Sequence, residues 1–471
     1  MAVRWWAALA SVLLFAVACS SGVSQSGQDS ASLASADSKG LSGAGALAGN
    51  GELAYVAGRR LYLLGGSAGA LRKVSLPGVP SAPGWSPDHR WLAVQVTPPA
   101  PASNPYQAEP TVLYVLRADG SGVRPLTPKS WTTQQYSWSP GRDELAAVVT
   151  PPATGSSIPA SRLETINPVS GTDRVLMSAP AIVGEAWSPN GKTLAAGKGE
   201  TSGKPGSNSF HWIGQLETLQ ASGGPAAVVR SWASGLLELA GWWPDGSGLL
   251  YWPDPQGSAS LAADGLPLDS IGLGATSARR TLTAIMLVHS SWIAFAPGGH
   301  ELAVVSGGNR EIWMGGKAIT VCSETAGCRS VPQLSGTVST QPTWSPGGRL
   351  TFARGSASGP FGPSGGADFS PAWVARWEAT QQIWSAAGSG ASQARLPGTG
   401  SGALDPIWAK NGALMFVRNN WLWLLPAGNK SAERVAGPLN DITGAIFYGY
   451  VPYPQLIAWT AARPQAIAGT C

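Results

Sequence analysis

Charged side chains are scarce in this sequence, and no basic run concentrates them. Of 471 residues only 12% are Asp, Glu, Lys or Arg, and the formal net charge is +5. A surface that binds nucleic acid needs Lys and Arg clustered on one face of the protein. We therefore expect no nucleic-acid partner.

Helical periodicity is also lacking. Beyond the N-terminal segment, no stretch repeats its hydrophobic residues about every 3.6 positions, as an amphipathic helix requires. The composition includes 61 Gly, 38 Pro and 22 Trp, which favours turns and strands over helices. This composition predicts an all-β protein.

Motifs for catalysis or metal binding are missing as well. The chain has four His, and none stands with a nucleophile and an acid at a recognisable catalytic spacing. It contains no Walker-type phosphate loop, zinc-ligand spacing or EF-hand loop. Asp88 and Asp245 lie at turns, and turn formation explains them without a metal ion. We therefore predict no enzyme, no cofactor and no metal site.

The only long apolar run lies at the N-terminus. Arg4 precedes a segment of about 14 residues, 5–18, that is too short to span a bilayer as a helix but fits an export signal. The small residues Ala16 and Ala18 then lead into Cys19. We predict a signal peptide over residues 1–18 and export of the chain.

The string AVAC at residues 16–19 resembles the lipobox of bacterial lipoproteins. The resemblance implies that Cys19 is lipidated and anchors the chain to the outer face of the cytoplasmic membrane or elsewhere in the cell envelope. Ordinary secretion after cleavage at Ala18 is the alternative. Residues 19–46 are rich in Ser and Gly, so we expect a flexible tether there and a folded body over 47–471.

Three further cysteines remain. Cys322 and Cys328 lie in two β-type runs joined by a Gly-containing turn, and export to an oxidising compartment favours a disulfide between them. A Cys–His metal site is the alternative, although no His is near in sequence. Cys471 has no obvious partner, so it is either free or paired between molecules.

A Trp-Ser-Pro motif, as in AWSPNGKTLAA at residues 186–196, recurs along the chain at intervals of 49 to 64 residues. The aromatic residues aligned by this motif are Trp85, Trp138, Trp187, Trp243, Phe295, Trp344 and Trp408. We interpret the Trp as packing between repeats, Pro-Asn-Gly as a hairpin turn and the apolar run beyond it as a strand. Four short apolar runs in each repeat of about 50 residues predict the blades of a β-propeller.

The motif W-S-P-D/N-G-x-x-L-A resembles the WD40-like repeat of TolB-type propellers. The resemblance covers residue 50 to the C-terminus and implies a single propeller of four-stranded antiparallel blades. The first copy, around Asn50, lacks the Trp, and a spare apolar run lies near the C-terminus. We expect this C-terminal strand to complete the first blade and close the ring, which gives eight blades; seven is the alternative.

The irregular loops between the second and third strands of each blade emerge on the face opposite the Trp-Ser-Pro turns, and insertions on one face often mark a binding face. The candidate binding residues within them are Tyr106, Phe210, Phe361 and Trp373. We expect a binding module for a protein or a cell-envelope polymer. An extracytoplasmic enzyme that acts on a small molecule or saccharide in the propeller channel, and a purely structural envelope protein, are the alternatives.

Overall fold

Short apolar runs bounded by Gly, Pro, Asn and Asp form the strands of this protein. The computed structural model describes residues 45, 47–65, 71–101, 103, 109–154, 159–204, 207, 209–274, 278–359, 371–387, 390, 392–439 and 448–462. Within these ranges the chain forms eight sheets of four antiparallel strands each. The prediction of an all-β propeller with eight blades is confirmed.

We number the blades in chain order and give the strands of each blade from its first, innermost strand outwards. Blade 1 contains β32 (Ile457–Trp459), β1 (Glu52–Ala57), β2 (Arg60–Gly65) and β3 (Leu71–Val74). Blade 2 contains β4 (Val79–Trp85), β5 (Trp91–Thr97), β6 (Val112–Arg117) and β7 (Arg124–Pro125). Blade 3 contains β8 (Thr132–Trp138), β9 (Leu145–Thr150), β10 (Ser161–Ile166) and β11 (Asp173–Ala179). Blade 4 contains β12 (Ala181–Trp187), β13 (Thr193–Ser202), β14 (His211–Gln220) and β15 (Ala227–Trp232).

The second half of the ring follows the same order. Blade 5 contains β16 (Leu236–Trp242), β17 (Gly248–Asp254), β18 (Leu266–Gly272) and β19 (Arg279–Met286). Blade 6 contains β20 (Ile293–Phe295), β21 (Glu301–Ser306), β22 (Ala318–Ser323) and β23 (Cys328–Ser330). Blade 7 contains β24 (Thr337–Trp344), β25 (Leu350–Ser356), β26 (Gln382–Ala386) and β27 (Gln393–Arg395). Blade 8 contains β28 (Ala403–Trp408), β29 (Leu414–Arg418), β30 (Trp421–Leu425) and β31 (Glu433–Ala436). The helical pieces among the described residues are α1 (Ala259–Asp264), α2 (Pro371–Glu378) and two 3-10 turns, Ser290–Trp292 and Tyr453–Leu456.

The hydrophobic core lies between neighbouring blades. The first strands of blades 1 to 5 contact one another in succession, as do those of blades 6 to 8, which places them around the central axis. The first and second strands are the most deeply buried; in blade 5 every residue of β16 and β17 is buried. Each sheet covers the face of the next one. Strands that are apolar along their whole length, without alternating polar residues, are therefore buried on both sides.

The motif aromatic, a Trp in every blade except blade 6, ends the first strand of its blade and packs against the blade before it. At five junctions its indole N–H donates to the carbonyl of the residue before the preceding blade's motif aromatic. These bonds join Trp85 to Ala458 (3.1 Å), Trp138 to Gly84 (2.8 Å), Trp187 to Ser137 (3.3 Å), Trp242 to Ala186 (3.0 Å) and Trp344 to Ala294 (3.0 Å). The repeat thus supplies both packing and a hydrogen bond between blades.

One residue of the predicted motif alignment is wrong. In blade 5 Trp242, not Trp243, pairs with Leu249 in the register that Trp187 has with Leu194. Trp243 occupies the place of Ser188, where it is buried and its ring centroid lies 5.6 Å from that of Phe295. Two adjacent tryptophans made the alignment ambiguous, because either one satisfies an apolar position.

Ring closure by the C-terminal strand is confirmed. β32 pairs antiparallel with β1, and Trp459 lies opposite Leu53, as a motif Trp should. The first copy lacks a Trp in sequence because the C-terminus provides it. The indole of Trp459 donates to the carbonyl of Asn50 at 2.7 Å, and the Thr460 hydroxyl accepts the N–H of Glu52 at 2.8 Å.

Cys322 and Cys328 are joined by a disulfide across the β22–β23 hairpin, where they are directly paired in the strand register. Cys19, Cys471, the predicted signal peptide and nearly all of the predicted tether lie outside the described residues. Across the ranges that are described, no helix combines the length and the apolar character needed to cross a bilayer.

Candidate functional site

The antiparallel order of the strands gives the propeller two different faces. We call the end with the turns between first and second strands the turn face, and the opposite end the long-loop face. On the long-loop face the connections between second and third strands span 98–111, 151–160, 203–210, 255–265, 307–317 and 357–381 in blades 2 to 7. In blades 1 and 8 only the residues 58–59 and 419–420 make this connection.

On the turn face, blade 4 shows how the motif builds its turn. The hydroxyl of Ser188 accepts the N–H of Thr193 at 3.0 Å and donates to the Asn190 side chain at 2.8 Å. Gly191 then adopts a φ of 66°, which a residue with a Cβ reaches only with strain. These bonds close the turn with contacts from within the motif itself.

The structure does not gather the predicted binding-face residues into one cluster. Phe210 is half-buried and packs edge-on against Trp212, with 6.1 Å between ring centroids. Trp373 is a half-buried residue of α2, and the guanidinium of Arg376 lies 4.5 Å from its ring centroid. The two belong to blades 4 and 7, three blades apart in the ring. Tyr106 and Phe361 lie outside the described residues.

A C-terminal segment, residues 448–456, crosses the long-loop face; we call it the closing segment. It begins on blade 6, where the Tyr448 carbonyl accepts the N–H of Ile312 at 3.1 Å and the Tyr450 hydroxyl lies 2.7 Å from that of Ser291. It then reaches Glu378 of blade 7 before entering blade 1 as β32. Sequence reasoning identified the final strand but not this crossing.

Buried polar groups surround the closing segment. The Tyr453 hydroxyl lies 3.1 Å from Glu378 Oε2 and 2.7 Å from Asn420 Oδ1. On the neighbouring first strands, the N–H of Asp405 donates to Gln341 Oε1 at 3.1 Å. All these side chains except Asn420 are more than nine-tenths buried, so their protonation states follow the protein environment rather than bulk water.

Burial raises the pKa of Glu378 to about 7, although the hydrogen bond from Tyr453 opposes the shift. Burial also raises the pKa of Asp405 well above its usual range, and the charge of Glu378 adds to that effect. A tyrosine hydroxyl has one proton and cannot donate to both Glu378 and Asn420. A protonated Glu378 resolves this, because it donates to Tyr453 while Tyr453 donates to Asn420.

Glu378→Gln is expected to stabilise the protein at pH 8 and to change its stability little at pH 5. The folded state keeps a proton that the unfolded chain releases above pH 4.5, so stability is lost as pH rises through the folded pKa of about 7. The loss amounts to about 3 kcal/mol at most. Urea unfolding at both pH values measures it; a pH-independent difference between the variants would contradict a protonated Glu378.

Three first strands near this network contain a bulge at a non-glycine residue with left-handed backbone. Ala82, Gln341 and Asp405 have φ values of 45°, 53° and 48°, and the strand register shifts at each of them. Such residues cost of order 1–3 kcal/mol and persist only where the surrounding structure enforces them. Bulges redirect side chains. The packing around the central axis therefore holds the backbone of these three strands in a strained conformation.

Two more buried carboxyl groups lie on the first strands of blades 4 and 5. Glu185 accepts a hydrogen bond from the Ser137 hydroxyl at 2.8 Å, and burial raises its pKa to about 8. Burial, together with the charge of Asp254, raises the pKa of Glu238 well above its usual range. The only sequence signal for either residue is a single acid in an otherwise apolar strand that ends in Trp.

The loop of blade 6 that holds the closing segment is organised by a buried lysine. The Lys317 ammonium lies among the carbonyl oxygens of Gly308 (3.1 Å), Asn309 (2.8 Å), Glu311 (2.7 Å) and Met314 (2.7 Å). Burial lowers its pKa to about 7, which Glu311 opposes. Burial also lowers the pKa of His289, to about 4, and the charge of Lys317 contributes. His289 is therefore neutral at pH 7.

The fold defines the protein as an eight-bladed β-propeller. No family model matches the sequence, and no curated protein matches it. Among solved structures it is similar to TolB from Acinetobacter baumannii, at 15% identity and a TM-score of 0.35, over 58% of this chain and 61% of TolB. It is also similar to oligogalacturonate lyase from Vibrio parahaemolyticus, at 12% identity and a TM-score of 0.40, over 64% of this chain and 87% of the lyase. A third similar structure is acylaminoacyl peptidase from Pyrococcus horikoshii, at 10% identity and a TM-score of 0.43, over 76% of this chain and 52% of the peptidase. At such identities the likeness concerns the fold alone.

The prediction that this chain is not an enzyme needs correction. The similar structures include a lyase and a peptidase beside TolB, so a propeller of this kind gives no ground for excluding enzymes. The physical reason is that the repeat specifies blade packing, whereas activity resides in a local site. The likeness assigns no reaction to this chain.

Proposed function

We propose that this protein is an exported, lipid-anchored propeller that binds a protein or a cell-envelope polymer through its long-loop face. The observation that supports it most is the unequal length of the connections on the two faces. Six consecutive blades carry extended connections on the long-loop face, whereas the motif turns are short throughout. Loops displayed by a rigid scaffold are the usual location of binding residues.

The aromatic side chains on these loops provide the contact chemistry. Trp373 on α2 is half-buried although Val374 and Trp377 of the same helix already fill the core side. The exposed Arg376 places its guanidinium over the Trp373 ring. Trp, Tyr and Arg are the residues most enriched at the centres of protein interfaces. A partner that covers the Trp373–Arg376 pair gains apolar burial together with a charged contact.

The binding test uses residues 40–471 immobilised and exposed separately to solubilised envelope proteins and to purified envelope polymers. Trp373→Ala and Phe210→Ala are expected to reduce retention of the partner by about tenfold or more, the size of a contact worth about 1.4 kcal/mol or more. Retention from the protein pool alone identifies a protein partner, and retention of polymer alone identifies an envelope polymer.

Trp91→Ala is the matched control. Trp91 is a half-buried tryptophan at the start of β5, and its ring centroid lies 5.3 Å from the guanidinium of Arg117, but it lies on the turn face. The proposal requires this variant to retain the partner. Equal losses for Trp91→Ala and Trp373→Ala, or no retention by the unmodified chain, would contradict binding through the long-loop face.

The anchoring proposal concerns Cys19. Cys19→Ser is expected to move the protein from the membrane pellet to the soluble envelope fraction, because one hydroxyl cannot carry the thioether-linked lipid. Fractionation followed by detection of the chain measures this. Continued sedimentation with membranes after high-salt washing would exclude the lipid anchor at Cys19.

A further inference from the structure

Three side chains with metal-binding atoms meet on the turn face, between blades 5 and 6. Asp245 lies in the first turn of blade 5, His300 in the first turn of blade 6, and Glu324 in the turn between β22 and β23 of blade 6. One ligand atom from each lies within 4.8 Å of the others, and His300 Nδ1 is 2.9 Å from Glu324 Oε2. The three come from positions far apart in sequence and are joined only by the packing of the two blades.

We propose that Asp245, His300 and Glu324 bind a divalent transition-metal ion of the Zn²⁺ type. An imidazole together with two carboxylates suits Zn²⁺ and its neighbours, whereas Ca²⁺ and Mg²⁺ prefer oxygen ligands alone. Ligand atoms about 2.0–2.2 Å from Zn²⁺ lie roughly 3–3.6 Å from one another in a tetrahedral site. The His300–Glu324 separation is slightly shorter than this, and the Asp245 carboxylate, which lies within 4.8 Å of the other two ligand atoms, moves closer when the ion binds.

The junction between blades 2 and 3 has different residues at the corresponding positions. Asp88 and Asp143 occupy the places of Asp245 and His300 in blades 2 and 3. There the guanidinium of Arg90 binds Asp88 and lies 3.3 Å from Asp143 Oδ2, so the chain supplies its own cation.

At blades 5 and 6 the residue in the place of Arg90 is Ser247, a neutral side chain that donates to Glu324. The guanidinium of Arg280 also contacts the turn that holds Glu324. It donates to the backbone carbonyls of Ser323, Glu324 and Ala326 rather than to the carboxylates. The two acids therefore face one imidazole, a combination that a divalent ion neutralises.

The site is open to ions in solution. The His300 side chain is 68% exposed, that of Glu324 is 16% exposed, and Asp245 is exposed. Three protein ligands leave at least one coordination position for water or for an acidic group of another molecule. A bound ion also ties the turn of blade 5 to two turns of blade 6. This site lies on the face opposite the proposed binding loops. The failure of one proposal would therefore leave the other unaffected.

The test measures Zn²⁺ binding to the full chain, free of any polyhistidine tag, by competition with a chromophoric chelator. One equivalent of Zn²⁺ is expected to bind. The variants His300→Ala and Glu324→Gln should each weaken the affinity for Zn²⁺ by about tenfold or more. His89→Ala is the matched control, since His89 is an exposed histidine in the corresponding turn of blade 2, where Arg90 already pairs with Asp88. Its affinity should equal that of the unmodified chain.

Cys19 and Cys471 are the same in every variant, so the differences in Zn²⁺ affinity report on His300 and Glu324. Equal Zn²⁺ affinity in His300→Ala and the unmodified chain would overturn the proposal, as would equal losses in His300→Ala and His89→Ala. Tighter binding of Ca²⁺ than of Zn²⁺ would also overturn it. Thermal unfolding without metal checks that each variant is folded, and an unchanged melting temperature together with lost Zn²⁺ binding supports the site.

Discussion

A chain that ends before Tyr448 is expected to lose its folded ring and to be recovered as aggregate rather than soluble monomer. The truncation removes the first strand of blade 1, the fully buried Tyr453 and the buried Trp459. Loss of one large buried aromatic costs about 3–5 kcal/mol, and a typical domain has about 5–15 kcal/mol in total. It also leaves the inner edge of β1 unpaired, and exposed edges promote aggregation. Size-exclusion chromatography and far-UV circular dichroism measure the outcome.

A chain that ends after Ala462 is the matched control, because it keeps every described contact of the closing segment and β32. It should elute as the full chain does. A peptide of residues 448–462 added during refolding should recover soluble ring from the shorter chain, since the missing strand then binds in trans. A shorter chain that folds with full cooperativity would show that the C-terminal strand is dispensable for closure.

Trp187→Ala is expected to lower the free energy of unfolding by about 3–5 kcal/mol, as for a large aromatic removed from a core. Trp187 is 5% exposed and packs within the apolar cluster between blades 3 and 4. Its indole also donates to the Ser137 carbonyl at 3.3 Å, and the guanidinium of Arg142 lies 5.7 Å from its ring centroid. Urea denaturation followed by tryptophan fluorescence and circular dichroism measures the change.

Trp187→Phe separates packing from the hydrogen bond. Phe295 occupies the same motif position in blade 6 without an indole N–H, so the ring accepts a phenyl group there. We expect Trp187→Phe to lower the free energy of unfolding much less than Trp187→Ala does, by on the order of 1 kcal/mol for the one hydrogen bond that is lost. A loss under about 1 kcal/mol for Trp187→Ala would mean that the indole lies on the surface and that the motif does not bind the blades together.

The sequence pattern was sufficient to predict the blades and their closure. The copies of the motif combine an aromatic residue, a turn rich in Pro, Gly, Asn or Asp, and an apolar run. These are local features whose physical consequences do not depend on distant residues. The missing Trp around Asn50 and the spare C-terminal run together predicted the pairing of β1 with β32. The disulfide bond that joins Cys322 to Cys328 lies across one hairpin, so its geometry is local as well.

The polar features of the interior depend on contacts between blades and were not predicted. Glu378, Asn420 and Tyr453 belong to three different parts of the chain, and nothing in the sequence near any one of them indicates the other two. The same holds for Asp245, His300 and Glu324, which a metal-ligand spacing cannot reveal because the ligands come from three separate turns. Repeats specify the positions of strands, whereas the chemistry between blades depends on which residues differ from copy to copy.

Hydrogen–deuterium exchange of the propeller with and without its captured partner tests the central claim, that the long-loop face is the binding surface. We expect slower exchange in peptides from 98–111, 203–210 and 371–381, and unchanged exchange in the motif turns around residues 86–90, 188–192 and 345–349. Protection of the motif turns without protection of these loops would contradict it.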